Sequence, residues 1–296
     1  MGRCFIRVYE ADIGIERRFF LNPKEFETVI VAGKNLSGLK REIWKYRELF
    51  FFLTWRDILV KYKQTILGIA WSVIRPLLTM IISVIVFGKI AKLPSDNIAY
   101  PILVFTGTIP WTFFANGLQD SGNSLVASSN MLTKVYFPRI IIPVSVILTS
   151  IIDLFISSVI LFVLMFYYGF IPSFNIVFLP IFIIQLFLLT LGPSLLISSL
   201  NVKYRDIRYI LPFIVQFGLF ISPVGYSSSN INGVARIIYS LNPLTGIIDG
   251  FRWAILGTYN SYTLFSILIS VAATVLFLVA GFIYFRKTER FFADLI

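Results

Sequence analysis

The sequence contains no histidine and only one cysteine, Cys4, among its 296 residues. A single cysteine cannot form a disulfide within the chain. A chain without histidine also has no histidine-based catalytic site and no Cys/His metal cluster. These absences exclude those two kinds of site; we also expect no enzyme activity in this chain, and no catalytic, cofactor-binding or metal-ligating residue.

Charged residues are scarce as well. They make up 14% of the chain, whereas hydrophobic residues make up 57%; soluble domains carry about 25% charged residues. The surplus of apolar side chains has to face lipid, so the sequence predicts a polytopic membrane protein. The net charge of +11 then indicates basic flanks beside the spans, not a nucleic-acid surface. The charged first residues lack the apolar core of a signal peptide, and we expect none.

The stretch from Arg41 to Thr65 contains no glycine or proline and mixes basic with aromatic residues. At about 100° per residue, Trp44, Phe51 and Trp55 fall on one side of a helix. A helix with aromatic faces and basic flanks lies in the plane of the membrane interface. We therefore predict an interfacial amphipathic helix over residues 41–65. Its candidate functional residues are Arg41, Trp44, Arg47, Arg56, Lys61 and Lys63.

Six apolar segments follow, each reaching or approaching the ~20 residues that cross a bilayer. The prediction is an all-α integral membrane protein with six transmembrane helices within residues 66–286 and a tail at 287–296. The segments are Ile66–Ile90, Ile98–Leu118, Ile140–Tyr167, Ile176–Leu200, Tyr209–Tyr226 and Tyr262–Phe285.

Basic residues flank these segments unevenly. If both termini are cytoplasmic, the short internal segments carry eight basic residues and the external ones carry four. The internal ones are Lys134, Arg139, Lys203, Arg205, Arg208, Arg286, Lys287 and Arg290; the external ones are Lys89, Lys92, Arg236 and Arg252. The excess of basic residues in the internal segments predicts a multi-pass membrane protein with both termini in the cytoplasm.

One external segment, residues 230–260, fits neither a simple loop nor a span. Its apolar pieces, Val234–Leu241 and Leu244–Leu256, are separated by Asn242 and Pro243. Each piece is about half a span long at a rise of ~1.5 Å per residue. We predict an external re-entrant pair of half-helices before the last span.

Two charged residues lie well inside predicted spans, away from their ends, where each costs about 3 kcal/mol on insertion scales. They are Arg75 and Asp153. We expect both to face protein, and Asp153 to need a hydrogen-bond donor or a proton.

Residues 1–40 read as a cytoplasmic N-terminal extension with a strand-like patch at Thr28–Ala32. Within it, GKNLSGLK at 33–40 has glycines spaced like those of a phosphate-binding loop. Leu39 and Lys40 stand where that loop needs Lys followed by Ser or Thr. We therefore expect no ATP site at this loop; if the protein does ATP-driven work, another chain binds the ATP and magnesium.

The internal loop 119–139 is polar at first and then amphipathic. A plain linker does not need large apolar side chains such as those of Met131, Tyr136 and Phe137. Their presence favours a short helix that docks into a groove on a partner. The alternative is that these side chains pack against the ends of the spans. The sequence leaves both readings open.

Several segments resemble the permease family of type-2 ABC exporters that move polysaccharides and lipopolysaccharides. The resemblance covers about residues 45–285, and its most specific piece is KVYFPR at 134–139. The other matching pieces are LGIAWSVIRPLL (67–78), GTIPWTFF (107–114), VKYRDIRYILPFIVQFGLFISPVGY (202–226) and LNPLTGIIDGFRWAILG (241–257).

The resemblance implies a homodimer that works with two ABC ATPase subunits and moves a glycan on a lipid or lipid-pyrophosphate carrier. It also implies that helix 41–65 is a gate-type helix, that the half-helices are the family's re-entrant pair, and that loop 119–139 contains the ATPase-coupling helix. The candidate coupling residues are Leu125, Met131, Lys134, Val135, Tyr136, Phe137 and Arg139. Charge-assisted hydrogen bonds from the basic residues of helix 41–65 suit a pyrophosphate at headgroup depth.

A glycan path needs aromatic rings, and aromatics make up 17% of the chain. Phe213, Phe217 and Phe220 share one helix face because they recur at i, i+4 and i+7. The predicted channel-lining aromatics are Trp71, Trp111, Phe213, Phe217, Phe220 and Tyr226. Contact with lipid or with another helix is the competing reading for each of them.

Two other functions stay open at this stage. One is a permease of the same architecture that exports a drug or a lipid. The other is a membrane-embedded glycosyl- or acyltransferase, which would need a convergent acid or histidine site that the sequence does not show.

Overall fold

The computed structural model describes residues 4–9, 16–21, 44, 46–63, 70–94, 98–135, 137–227 and 234–292. The chain divides into two compact units, Met1–Arg47 and Glu48–Ile296.

The first unit contains a β-hairpin. Strands β1 (Cys4–Tyr9) and β2 (Glu16–Leu21) pair antiparallel, from Cys4 opposite Leu21 to Tyr9 opposite Glu16. This hairpin departs from the all-α prediction; its valine, isoleucine and aromatic residues are those that favour strands. The segments Thr28–Ala32 and 33–40 lie outside the described residues.

The regular elements described from residue 48 onward are helical. Ten α-helices are described: α1 (Arg47–Lys63), α2 (Ala70–Ser83), α3 (Tyr100–Ala127), α4 (Ser129–Lys134), α5 (Ile141–Tyr167), α6 (Leu179–Lys203), α7 (Ile207–Ile221), α8 (Val234–Ser240), α9 (Pro243–Leu256) and α10 (Thr263–Thr288). A π-helix, Val84–Ile90, continues α2, and 3₁₀ turns at Phe174–Phe178 and Glu289–Phe291 precede α6 and follow α10.

Four helical segments are long and apolar enough to cross a membrane, which confirms an integral membrane protein. They are Ala70–Ile90, Ile141–Tyr167, Phe174–Lys203 and Thr263–Phe291. The other two predicted spans correspond to α3 and α7. With 15 residues, α7 is about 22 Å long and shorter than the ~30 Å hydrocarbon layer. The total of six spans stays a prediction.

Helix α3 forms the centre of the second unit. It packs against α2, α5, α6 and α9, and every residue from Ile102 to Trp111 is buried. Because other helices surround it, α3 does not need an apolar surface and carries Thr106 and Thr108. Their hydroxyls donate to the carbonyls of Ile102 (2.8 Å) and Val104 (2.9 Å), so neither hydroxyl is buried without a hydrogen-bond partner.

Helices α6 and α10 cross so closely that only glycine fits between them. A Cβ atom on Gly281 would lie 2.1 Å from the carbonyl oxygen of Gly192. Real Cβ atoms do not approach this closely, so a larger residue at Gly281 would force the two helices apart.

The external segment contains two short helices, α8 and α9, with a break between them as predicted. Asn242 caps α9: its side-chain oxygen accepts from the Leu244 backbone N–H (3.1 Å), and Pro243 is the first helical residue. Helix α9 is buried along most of its length. The position of the pair relative to the membrane stays a prediction.

Candidate functional site

Helix α1 presents large aromatic side chains on its surface. Phe51 and Trp55 are exposed by 71% and 52%, whereas Leu53 is buried; Trp44, which precedes the helix, is exposed by 70%. The Arg47 guanidinium lies 5.3 Å from the centre of the Trp44 ring, within the range of a cation–π contact. This surface has the aromatic and basic character that the sequence predicts for an interfacial helix.

The basic residues predicted on this helix have different surroundings. Arg56 pairs with its neighbour Asp57 at 2.8 Å, and Lys63 is exposed. Lys61 instead points to a carboxylate on another helix. Arg41 lies outside the described residues.

Asp153, on α5, is the centre of a polar cluster. Its Oδ2 atom accepts a hydrogen bond from the Lys61 ammonium at 2.7 Å. Its Oδ1 atom accepts from the Tyr62 hydroxyl at 2.7 Å and from the Ser72 hydroxyl at 2.6 Å. The cluster therefore joins α1, α2 and α5, and it supplies the donors that the sequence requires for this acid. A second acid, Asp120 at the end of α3, lies 3.8 Å from the same ammonium.

Burial, reinforced by the hydrogen bond to the Asp153 carboxylate, raises the pKa of Tyr62 above its ordinary value. Tyr62 therefore stays protonated and donates to Asp153 at physiological pH. The sequence reasoning singled out neither Tyr62 nor Ser72. Two features of the sequence point to Tyr62 and Ser72 as hydrogen-bond donors. They lie close to Lys61 and Arg75 along the chain, and Asp153 needs donors.

Arg75, the other charged residue within a predicted span, is exposed. Its guanidinium lies 5.6 Å from the centre of the Trp71 ring, one helical turn earlier. Trp71 is itself 42% exposed. The two side chains form one cationic and aromatic patch on α2, beside the position of Ser72.

The predicted coupling residues divide into a buried and an exposed group. Leu125 and Phe137 are 0% and 4% exposed and pack into the chain, whereas Lys134 and Val135, at the end of α4, are exposed. Met131 is half-buried. Tyr136 lies outside the described residues. Each of the two interpretations fits part of this segment. Leu125 and Phe137 pack inside the chain, whereas Lys134 and Val135 at the end of α4 are exposed and could contact a partner.

Arg139 holds the C-terminal segment. Its backbone N–H donates to the Glu289 carboxylate at 3.3 Å, and its guanidinium donates to the Glu289 backbone carbonyl. The same guanidinium lies 5.8 Å from the centre of the Phe292 ring, which packs edge-on against Phe285. Neither Glu289 nor Phe292 is among the predicted functional residues, although two adjacent phenylalanines in a charged tail are a signal of a buried anchor.

The predicted channel-lining aromatics also divide. Phe213, Phe217 and Phe220 are 63%, 65% and 62% exposed, so α7 presents them together on an open face. Trp111 is only 5% exposed and packs against Gly218 of α7 inside the chain. In a single chain, Trp111 therefore lines no open surface.

A cavity of about 290 Å³ lies between the end of α7 and the helix formed by α2 and its π-helical extension. Its lining is mostly apolar and includes Phe87, Phe220 and Tyr226. The Tyr226 hydroxyl is hydrogen-bonded to the Tyr239 hydroxyl of α8. Tyr226, one of the predicted channel-lining aromatics, thus lines this cavity and is also hydrogen-bonded to α8 of the external helix pair.

Two arginines fix the external pair. Arg236 and Asp249 form a buried ion pair at 2.7 Å, with side chains 0% and 4% exposed. Arg252 donates to the backbone carbonyls of Tyr226 (2.9 Å) and Val224 (3.2 Å). The charges that the sequence placed in this external segment are buried inside the protein and bind its own groups.

Within the described ranges, no group of three or more Cys, His, Asp or Glu side chains could hold a metal ion. The acids described above bind basic side chains or hydroxyls of the chain itself. This arrangement favours a polar packing role for them.

Residues 48–256 match the model of the ABC-2 type transporter family. The chain is also similar to two proteins named O-antigen export system permease protein RfbA. It is 28% identical to one from Klebsiella pneumoniae over 250 residues, which is 84% of this chain and 95% of that protein. It is 27% identical to one from Myxococcus xanthus over 216 residues, which is 72% of this chain and 82% of that protein.

Proposed function

Because this chain belongs to the ABC-2 type transporter family, we propose that it is the channel-forming permease subunit of an exporter for lipid-linked polysaccharide. The cargo would be an O-antigen-like glycan, carried across the inner membrane and driven by a separate ATPase subunit. The observation that carries this proposal is the similarity to O-antigen export permeases. It extends over 95% of the length of the Klebsiella pneumoniae protein and is not confined to one motif.

The proposed assembly is a homodimer with two ATPase subunits. Each chain would cross the membrane six times with both termini in the cytoplasm. In this assembly Phe213, Phe217 and Phe220, which are exposed together on α7, would meet the second copy or the glycan. Trp71 and Tyr226 would add rings to the same path.

The proposed recognition of the carrier lies on α1. Arg47 and Lys63 are exposed, and Arg56 is half-buried beside Asp57. Together with the exposed aromatic residues, they suit a helix at headgroup depth that meets a diphosphate.

The proposed contact with the ATPase subunit is the end of α4. Lys134 and Val135 are exposed there, while the neighbouring Phe137 is buried and anchors the segment. A short helix whose exposed C-terminal end is held in place by a buried neighbouring side chain suits insertion into a cleft on a partner.

Export is tested in the source organism by deleting the gene and separating surface glycans on a gel. The deletion should remove the long surface glycan, and lipid-linked glycan should accumulate inside the cell. Complementation with the wild-type gene should restore the surface glycan. Unchanged surface glycan after deletion would refute the cargo, and restoration without any ATPase subunit would refute the proposed energy source.

Contact with the ATPase is tested by co-purification. The double variant K134E/V135D should lose the ATPase subunit while the permease itself is still inserted and folded. The matched control is K203E, which reverses an exposed charge at the end of α6. Equal retention of the ATPase by both variants would contradict a contact at α4.

A further inference from the structure

The start of α5 and the end of α10 are joined by one pair of residues, Arg139 and Glu289. The Glu289 carboxylate accepts a hydrogen bond from the Arg139 backbone N–H (3.3 Å), and the Arg139 guanidinium donates to the Glu289 backbone carbonyl. Arg139 lies two residues before α5 begins, and Glu289 directly follows the last residue of α10. The side chain of each residue therefore binds the backbone of the other at a helix end. We call this pair the reciprocal cap.

The charges of the reciprocal cap suit the helix ends that they meet. The first N–H groups and the last carbonyls of a helix have no partner within it, and the helix dipole makes the start positive and the end negative. Helix α5 has no acidic residue in its first turn and no side-chain cap from Ile140, the residue before it. Glu289 supplies a negative charge at this start, and Arg139 supplies a positive charge at the end of α10.

Two further contacts hold Glu289 in its position. The Arg286 guanidinium, one turn earlier on α10, lies 3.4 Å from its carboxylate. Phe292, three residues later, is fully buried and packs edge-on against Phe285 with the ring centres 5.4 Å apart. The carboxylate that meets Arg139 is therefore fixed to the end of α10 from both sides.

Helix α4 is too short to determine its own position. It contains six residues, and isolated helices of that length are not stable in water. Its start continues from α3, where the Ser128 backbone N–H donates to the Ser124 carbonyl at 3.0 Å. Its exposed end, Lys134 and Val135, lies four residues before Arg139. The reciprocal cap thus holds the chain close to the surface that we propose for the ATPase contact.

We propose that Glu289 is a positioning residue for the ATPase contact. The reciprocal cap holds the chain at Arg139 and thereby keeps the exposed end of α4 in place for the ATPase subunit. Glu289 acts through Arg139 and does not itself contact the ATPase subunit. The proposal rests on the proposed function, because it takes the end of α4 as the surface that meets the ATPase.

The first readout is the mobility of α4 in the purified full-length chain in lipid nanodiscs. C4S removes the only cysteine, so a nitroxide label at V135C reports on the end of α4, and one at K203C, on the exposed end of α6, is the control label. E289A removes the acceptor of the Arg139 N–H. It should increase the mobility of the V135C label in electron paramagnetic resonance spectra and leave the K203C label unchanged. E289Q keeps an oxygen that accepts from this N–H and should give spectra near those of wild type.

The second readout is the affinity of the unlabelled chain for the ATPase subunit that co-purifies with wild type. The apparent dissociation constant rises in inverse proportion to the fraction of chains in which α4 is in place. Loss of the hydrogen bond to the Glu289 carboxylate should lower this fraction enough to weaken binding about 10-fold in E289A. E289Q should bind like wild type. The matched control is R290A, which truncates the adjacent, exposed charged side chain and should also bind like wild type.

A role confined to the stability of the C-terminal segment would give a different result. E289A would then leave the V135C spectrum and the ATPase affinity unchanged, which would overturn the proposal. It would also be overturned if only one of the two readouts changed, if E289Q failed like E289A, or if R290A weakened binding as E289A does. Thermal unfolding shows whether each variant is folded. If E289A does not fold, F292A, which opens the same segment, is judged by the same two readouts.

The K134E/V135D variant separates the two levels of inference. If it loses the ATPase subunit while E289A keeps wild-type mobility and affinity, only the positioning role is wrong. If wild type binds no ATPase subunit, or if K134E/V135D binds it as tightly as wild type does, the ATPase contact of the proposed function is wrong, and the positioning role is wrong with it.

Discussion

Replacing Phe292 by alanine should detach the C-terminal segment from the segment around Arg139. Phe292 is fully buried, its ring centre lies 5.4 Å from that of Phe285, and the Arg139 guanidinium lies 5.8 Å from its centre. Truncation of a buried phenylalanine typically costs about 3–5 kcal/mol. Phe292 directly follows the short 3₁₀ turn Glu289–Phe291 after α10, and short segments of this kind can open without unfolding the rest of a protein. We therefore expect the cost to appear as local opening.

The magnitude can be followed at one backbone amide. The Arg139 N–H donates to the Glu289 carboxylate, so its hydrogen exchange reports directly on the attachment of the tail. A loss of about 3 kcal/mol corresponds to roughly 100-fold faster exchange at this amide. The temperature of global unfolding should change little, because α10 before Phe285 keeps its contacts with α6 and α9.

The adjacent residue provides the control. Phe291 is 56% exposed, so F291A removes a ring of the same size from the same segment without opening a buried site. Hydrogen exchange followed by mass spectrometry should show faster exchange around Arg139 in F292A and wild-type exchange in F291A. Equal exchange in the two variants would refute the reasoning that Phe292 anchors the tail.

Two further predictions concern the stability of the helix bundle. G281A should lower the unfolding temperature and the yield of folded protein, because the added Cβ would lie 2.1 Å from the Gly192 carbonyl oxygen; overpacking typically costs about 1–3 kcal/mol and here should reach the upper end. The exposed neighbour variant A280V should behave like wild type, and equal behaviour of the two would contradict the close crossing. R236A should cost about 3–5 kcal/mol because it leaves the buried Asp249 carboxylate without its partner at 2.7 Å. The double variant R236A/D249A should be less destabilised in thermal unfolding than R236A, and a double variant that is worse than R236A would contradict an ion-pair mechanism.

Local patterns in the sequence predicted local structure well. Asn242 and Pro243 carry the signals of a helix start, and α9 begins there. The spans that coincide with apolar runs, such as α5 and α10, were also predictable, because length and hydropathy are properties of the segment alone.

Long-range partners could not be predicted in the same way. The sequence showed that Asp153 needs a donor, but the donors lie 81 to 92 residues away along the chain. Trp111 and Phe213 look alike in an apolar run, although one is buried and the other is exposed. Hydrophobicity indicates that a side chain leaves water and does not distinguish lipid from another helix. The N-terminal hairpin was missed because charged residues interrupt the apolar alternation of both strands.

The contact between Gly192 and Gly281 has a mechanical consequence. Where two backbones touch, no side chain can change its rotamer to let the helices slide past each other, so α6 and α10 resist sliding at this crossing. The large exposed side chains lie elsewhere, on helices such as α1, α2 and α7. The crossing of α6 and α10 is thus a fixed point of the helix bundle.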